Sequence, residues 1–362
     1  MYDQFAVLMN RGRKMTVTIR DVAAHAGVSS GTVSRVLNQE PGVNERLRGS
    51  VFDAVRQLGY VQRAAKPRLE PISEVGFFLV VLEGSEGRQG VAQFWADILF
   101  AVESHARKAG IRVVFRRLLD MEVDSASAAD QISDLNLSSA FLVGPAPAEA
   151  ALSLRRSGLR VILIDNAFPG WEGDAVLSDN FGGSYLVTQH LISLGHQNIA
   201  FIGGPRIDVI PGTNSVYSMA WRAMGYREAL VANRLPLQPQ LIENCNLTVK
   251  GASEAVRRLL DTKLPFTAIV ASNDSTAVGA MQALEAAGVE VPASVSVVGF
   301  DDHPPATPHL PLTTLVVDTN AMGQVAVHVL KQILAEPSFP HQTATVPVKL
   351  RIRETTAPAP RH

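Results

Sequence analysis

The chain has 362 residues, 46 % apolar and 19 % charged, which is material for two or three packed domains and excludes a mostly disordered chain. One cysteine, Cys245, excludes a disulfide framework and a cysteine-based zinc site and fits a reducing cytoplasm. The net charge of −1 hides an asymmetry: residues 11–68 carry eleven Lys or Arg against four acids, so this segment is +7 and the remainder −8. A basic head on an acidic body points to a polyanion-binding module joined to a second function. No apolar run approaches the roughly 18–20 residues of a membrane span. The stretch Phe5–Met9 is too short for a secretory signal and lacks a preceding basic residue.

Residues 1–15 carry no pattern and read as an N-terminal extension, either a disordered tail or the product of an upstream start codon. Three short helices are predicted over residues 16–60. Thr18 with Asp21 forms a capping box, and Ile19, Val22, Ala23 and Ala26 make the inner face of the first helix, which Gly27 stops. Ser29 caps a second helix with Val33, Val36 and Leu37 inward and Ser30, Gly31, Thr32, Ser34, Arg35 and Asn38 outward. After the Pro41-Gly42 break, Asn44 caps a third helix with Leu47, Val51, Val55 and Leu58 on one face, closed by Gly59. Two helices joined at a tight glycine turn and covered by a third make a helix-turn-helix, and small polar residues with an Arg on the second helix suit the major groove. The alternative is a small helical subdomain with a solvated polar face. Gly27-Val28-Ser29-Ser30-Gly31 also fits the G-x-S-x-G pattern of serine hydrolases, but helical rather than strand spacing precedes it, so no nucleophile elbow is expected.

The run from Thr18 to Asn38, TIRDVAAHAGVSSGTVSRVLN, resembles the DNA-binding signature of the LacI/GalR family of bacterial transcription regulators. The resemblance implies a recognition helix reading an operator half-site. Ser30 and Gly31 fall at the positions that vary with operator sequence and Arg35 at the base-contacting Arg. Thr18, Ser29, Thr32, Ser34, Asn38 and Tyr60 fall near bases or phosphates. Leu47 stands where the family often has a backbone-touching Thr.

Residues 61–72 are the expected hinge. The family has a short helix here that places a Leu in the minor groove as a wedge; this chain has Val61-Gln-Arg-Ala-Ala-Lys-Pro-Arg-Leu69, with Leu69 at the wedge and Arg63 suited to a groove or phosphate contact. Pro67 falls inside that helix, where an interior Pro costs about 3 kcal/mol. The segment is thus a shortened helix, an extended basic arm or a plain linker.

From residue 73 to 355 strands and helices alternate. Strands are predicted at Val75–Val81, Arg112–Phe115, Ser139–Val143, Val161–Ile164, Ile199–Ile202, Thr267–Ala271 and Ser296–Phe300, and helices at Phe94–Ala109, Gly183–Leu194 and Ser275–Ala287. The rhythm means α/β architecture with doubly wound parallel sheets, and the length suits two lobes around a cleft. The motifs Leu194-Gly195-His196, Arg222-x-x-Gly225-Tyr226, Ser272-Asn273-Asp274, Val298-Gly-Phe-Asp-Asp302 and Leu312-Thr-Thr314 resemble the same family's effector domain, which is similar to periplasmic sugar-binding proteins. That resemblance implies three crossings, placed near Gly195, Val317 and Thr343. The first lobe is then about 73–194 with 318–342, the second about 195–317 with 343–355, and 356–362 is a tail.

Ligands in such sheets sit beyond the carboxyl ends of the strands. Asn273 and Asp301 each follow a predicted strand. By motif, Arg222 and Ser218 join them from the second lobe, and Phe94 and Trp95 from the first. A carboxylate, an amide, a guanidinium and an aromatic platform suit a polyhydroxylated ring, although Phe94 and Trp95 also read as core. Asp274 reads as a structural helix cap and His196 as a lobe-packing residue. Asp302, His303 and His309 lack paired ligand spacing, so no metal is expected, and no cofactor or enzyme motif is present. The expected protein is a cytoplasmic repressor binding a palindromic double-stranded operator as a homodimer under control of a small carbohydrate effector. The alternatives are a purine or nucleoside effector, an activator, or a free sugar-binding protein. No leucine heptads mark the end of the chain, so no tetramerising helix is expected.

Overall fold

The computed structural model describes residues 17–37, 44–60, 74–81, 89–119, 132, 135–204, 216–303, 311–336 and 338–360. They belong to two compact units, residues 1–70 and 71–362. The predicted extension 1–15 and hinge 61–72, with Asn38, Arg63, Pro67, Leu69 and His309, lie outside the described residues.

The head is built from α1 (Ile19–Ala26), α2 (Ser30–Leu37) and α3 (Glu45–Leu58). Each boundary has a local cause. The Asp21 carboxylate accepts from the Thr18 N–H at 2.8 Å, and the Thr18 hydroxyl accepts from the Asp21 N–H, closing the capping box. Gly27 and Gly59 end α1 and α3 at φ 65° and 62°, a left-handed turn open to glycine. Asn44 accepts from the Arg46 N–H at 2.9 Å. Val22, Ala23, Val33, Val36, Val51 and Ala54 form the core. Leu47 departs from the expected inner face: it is 42 % exposed in the first turn of α3, and burial starts one turn later, at Val51 and Ala54.

The body contains two parallel sheets. The first holds β1 (Glu74–Val81), β2 (Arg112–Leu119), β3 (Ser139–Val143), β4 (Arg160–Ile164), β5 (Asp174–Ser178) and β11 (Thr343–Val346), in the order β11-β5-β4-β3-β1-β2. The second holds β6 (Ile199–Gly203), β7 (Ile242–Asn244), β8 (Ala268–Ala271) and β9 (Ser296–Val298), in the order β7-β6-β8-β9. Between them, β10 (Thr314–Val316) pairs antiparallel with β12 (Lys349–Arg351). The helices are α4 (Gln89–Lys108), α5 (Ala148–Arg156), α6 (Asn180–Ser193), α7 (Tyr217–Ala232), α8 (Val249–Asp261), α9 (Asp274–Ala286) and α10 (Thr319–Ala335). The central strands β3, β4 and β6 are buried almost throughout, as strands covered by helices on both faces must be.

Two expected lobe boundaries are corrected. Helix α6 packs along α7, so the chain leaves the first lobe at Asp179, not at Gly195. Gly225 makes this packing possible: a Cβ there would collide with the Phe181 carbonyl. Strand β11 pairs with β5, so residues 343–346 belong to the first lobe and the third crossing lies at 347–348, just before β12. The second crossing falls at 317–318, between β10 and α10.

The supposed tail is also part of the second lobe. The Thr355 hydroxyl donates to the Val297 carbonyl at 2.7 Å, Ala357 N–H donates to Ser296 Oγ at 3.0 Å, and Ala359 N–H donates to the Leu194 carbonyl at 2.9 Å. His196 lies beneath this strap, 2.9 Å from Thr267 Oγ1 and 3.0 Å from the Ala357 carbonyl, which makes it a packing residue of one lobe. Gly225→Ala tests the helix contact that decides the first crossing. Forcing a methyl against the α6 backbone should destabilise the body by about 1–3 kcal/mol, measured as a lower urea midpoint with unchanged slope.

Candidate functional site

On the head, Ser29, Ser30, Gly31 and Arg35 are exposed along α2, and Thr32 and Ser34 are half-buried. The Ser29 hydroxyl accepts from the Thr32 N–H at 3.1 Å and lies 2.9 Å from Thr32 Oγ1, so these two also fix the start of the helix. The Thr18 hydroxyl is held by Asp21 at 2.7 Å. Tyr60 packs against the head core. Along α2, Arg35 is thus an exposed long cationic side chain one turn from Gly31.

In the body, two of the sequence-predicted residues of the second lobe, Arg222 and Asp301, are in contact. The Arg222 side chain is buried on α7, and its three nitrogens are all used. Nε donates to Asn180 Oδ1 at 2.8 Å, one terminal nitrogen to the Ser272 carbonyl at 2.5 Å, and the other to Asp301 Oδ1 at 3.1 Å. The guanidinium lies 3.5 Å above the Phe300 ring centroid, a cation–π contact. Ser218 is buried one turn before it on α7. Asp301 sits at φ 106° and Asp302 at φ 61°. Non-glycine residues held there are strained, and such strain persists only where the surroundings over-determine it. Those surroundings are visible: Asp301 N–H donates to the Leu315 carbonyl at 2.8 Å, and Asp302 pairs with Arg351 and, at 2.6 Å, with Arg353.

Other expected residues have divided roles. Asn273 accepts from the Thr276 N–H at 2.8 Å and caps α9. Asp274 is structural, as expected, but through loop bonds: its carboxyl accepts from Thr314 Oγ1 at 2.6 Å and from the His303 N–H at 2.5 Å. Phe94 is buried in the first-lobe core with its ring edge-on to Trp95, centroids 4.9 Å apart; Trp95 is half-buried. Among the described residues no group of three or more His, Cys, Asp or Glu could hold a metal.

Asp165 is the residue that sequence reasoning missed. It follows β4 at its carboxyl end, the same position that singled out Asn273 and Asp301, and it sits at φ 53°. It is buried and accepts from Ser178 Oγ at 3.2 Å. Burial pushes its carboxyl up to about 6, against the pull of Arg222 and with the push of Asp301. Burial also raises Asp301 against the pull of Arg222, and raises Asp274 well above the carboxylate range, Asp301 adding to it. Tyr217, at the start of α7, is pushed up to about 12 by burial and by Asp165 and Asp179. Asp165 of the first lobe thus feels the charges of Arg222 and Asp301 of the second.

A raised acid holds its proton in the native state after the unfolded chain has lost it, so its contribution to stability falls as pH rises from the ordinary carboxylate value to about 6. Asp165→Asn removes that penalty and keeps a residue that tolerates positive φ. The variant should gain on wild type between about pH 4 and pH 6, by up to about 3 kcal/mol above that range, read from melting curves of the unliganded protein.

The chain was compared with known proteins. The model of bacterial regulatory proteins of the lacI family matches residues 18–62, and the periplasmic binding protein-like domain matches residues 188–356. The HTH-type transcriptional regulator GalR of Salmonella typhimurium strain LT2 is 32 % identical over 286 residues, 79 % of this chain and 80 % of the relative. The HTH-type transcriptional regulator RegA of Clostridium saccharobutylicum is 29 % identical over 360 residues, 94 % of this chain and all of the relative. Among solved structures, the Lac repressor dimer bound to operator and the anti-inducer ONPF aligns with a TM-score of 0.68 at 26 % identity, over 94 % of this chain and 99 % of that one. The transcriptional regulator CelR in complex with cellobiose aligns at 0.67 and 27 %, with the same coverage. Head, two-sheet body and relatives agree: the chain belongs to the lacI family of bacterial regulatory proteins and is a transcriptional regulator, not an enzyme.

Proposed function

We propose that this regulator is a cytoplasmic repressor that binds a palindromic operator as a homodimer, and that a sugar or sugar derivative held between the lobes sets its operator affinity. The observation that carries the reading is the buried pair of Arg222 and Asp301 at the carboxyl end of the second sheet, with the buried Asp165 at the end of β4 feeling the charge of both. Two carboxylates accept hydroxyl protons from a polyol while a guanidinium donates to its oxygens. The excess of carboxylate disfavours a phosphorylated or acidic ligand, whose charge would meet Asp165 and Asp301 in a poorly solvated space. Trp95 supplies an apolar face from the first lobe. The structural relative CelR, solved in complex with cellobiose, supports the same direction.

Self-association has support on the first lobe. Phe100 on α4 is 65 % exposed, and Phe115 on the edge strand β2 is 46 % exposed. Large apolar residues left open on α4 and on the last strand of the sheet among the described residues suit burial against a second copy. Two-fold symmetry of the protein then maps onto two operator half-sites. Effector control is linkage: a ligand that favours one lobe arrangement changes operator affinity, and operator changes ligand affinity by the same factor. No helix among the described residues is long and apolar enough to cross a membrane.

Two mutants separate the functions. Arg35→Ala should lose about 1–3 kcal/mol of operator discrimination per half-site, seen in gel shifts against scrambled DNA, and keep the thermal shift given by the effector. Asp301→Ala should do the reverse. Losing a charge-assisted bond weakens effector binding by about tenfold to a hundredfold, measured by calorimetry with the sugar identified in a thermal-shift screen that includes purines. Full affinity in Asp301→Ala, or a purine as the sole hit, overturns the sugar clamp.

A further inference from the structure

His303 follows the strained Asp301-Asp302 pair in the second lobe, and its imidazole reaches the first. Its Nε2 lies 2.6 Å from Asp97 Oδ2 on α4, and its Nδ1 lies 3.0 Å from the Asp301 carbonyl. Both neighbours accept hydrogen bonds. A neutral imidazole has one N–H and satisfies one of them; only the imidazolium donates to both. The ring is held in place on its own lobe, because the His303 N–H is bound to Asp274 Oδ2 at 2.5 Å. On the other lobe, Asp97 is steadied by Gln93, whose Nε2 donates to Oδ1 at 2.8 Å. Phe94 presents its ring edge-on to the imidazole at 5.9 Å between centroids, covering the contact on the first-lobe side.

We infer that His303 and Asp97 form a proton-operated latch between the lobes, closed when the imidazole carries two protons and released when it loses one. Among the described residues, the groups against His303 are Asp97 and Phe94 from α4, Asp274 from the start of α9, and Asp301 from its own loop. Asp301 is paired in turn with Arg222, and the neighbouring Asp302 with Arg351 and Arg353. Burial pulls the imidazole pKa down, but the Asp97 hydrogen bond, the Asp301 carbonyl and the charges of Asp301 and Asp97 outweigh it, and the net direction is up. Protonation therefore stabilises the closed arrangement, and the gain disappears as pH rises through the raised value. Since Asp301 also holds Arg222, the latch adjoins the effector clamp. Closing it narrows the exit from the cleft and makes effector retention depend on pH. This consequence rests on the proposed effector site; the latch itself does not.

The test uses the full-length protein without effector, so failure of the latch is separable from failure of the sugar reading. Spin labels are placed on exposed positions of the two lobes by Lys108→Cys on α4 and Arg257→Cys on α8; Cys245 is buried. Labelled chains are diluted into unlabelled protein so that a dimer carries one labelled copy. The distance distribution should be shorter and narrower at pH 6 than at pH 8.5. In Asp97→Asn and in His303→Gln the pH difference should vanish. The His303 imidazole signal, assigned by its loss in His303→Gln, should titrate at a lower pH in Asp97→Asn. Identical distributions at both pH values in wild type overturn the latch. So does a pH response that survives in Asp97→Asn, which would belong to another group such as Asp165, or a His303 midpoint that does not move.

Discussion

The guanidinium of Arg222 donates to Asn180, to the Ser272 carbonyl and to Asp301 while it lies on Phe300, and the architecture of the cleft follows from satisfying it. Burying a charged group costs several kcal/mol unless each of its hydrogen-bonding atoms is met. The four partners come from three places: Asn180 at the crossing, Ser272 at the end of β8, and Phe300 with Asp301 in the loop after β9. These three places are far apart in sequence, so the guanidinium ties them together. A buried ion pair of this kind is weak evidence for stability, since well-packed apolar residues could serve as well. Its retention is better understood as placement of Asp301 for a ligand, and the strained φ at Asp301 and Asp302 fits that account.

The first lobe answers with Asp165, a carboxyl that burial pushes up to about 6. A ligand hydroxyl donating to it would favour the ionised form, so a site of this composition binds best when a neutral polyol supplies the protons that Arg222 cannot. The same acidic surroundings explain the latch. Asp97, Asp274 and Asp301 leave His303 among acceptors, and an imidazolium is the form that such a setting favours. His303 and Arg222 thereby share one neighbour, Asp301.

Much of the fold was legible in residues 19–58 and in the strands of both sheets, because the caps Thr18, Ser29 and Asn44, the stops Gly27 and Gly59, and the apolar runs at 139–143 and 199–202 act locally. The lobe boundaries were not. Whether α6 joins the first or second lobe depends on its fit against α7 through Gly225, a contact between residues more than forty positions apart in sequence. Strands β10 and β12 are three residues each, too short for a periodicity to appear. In the cleft, Asp301 and Asn273 were found from their places after strands, and Asp165 satisfied the same rule but was passed over. Leu47 was misplaced because helical spacing alone does not tell which turn of α3 has a neighbour to pack against. His303 was visible only as one candidate in a metal search; its actual partner, Asp97, lies on a helix of the other lobe.

The central claim is that Arg222 holds the charge balance of the cleft, including that of a carboxyl on the opposite lobe. The most direct measurement is carbon NMR titration of the Asp165 carboxyl in the unliganded protein, assigned by its loss in Asp165→Asn, for wild type and for Arg222→Gln. The account predicts a wild-type midpoint near 6 that moves upward when the guanidinium is removed. A midpoint in the ordinary carboxylate range, or one indifferent to Arg222→Gln in a folded variant, would contradict it.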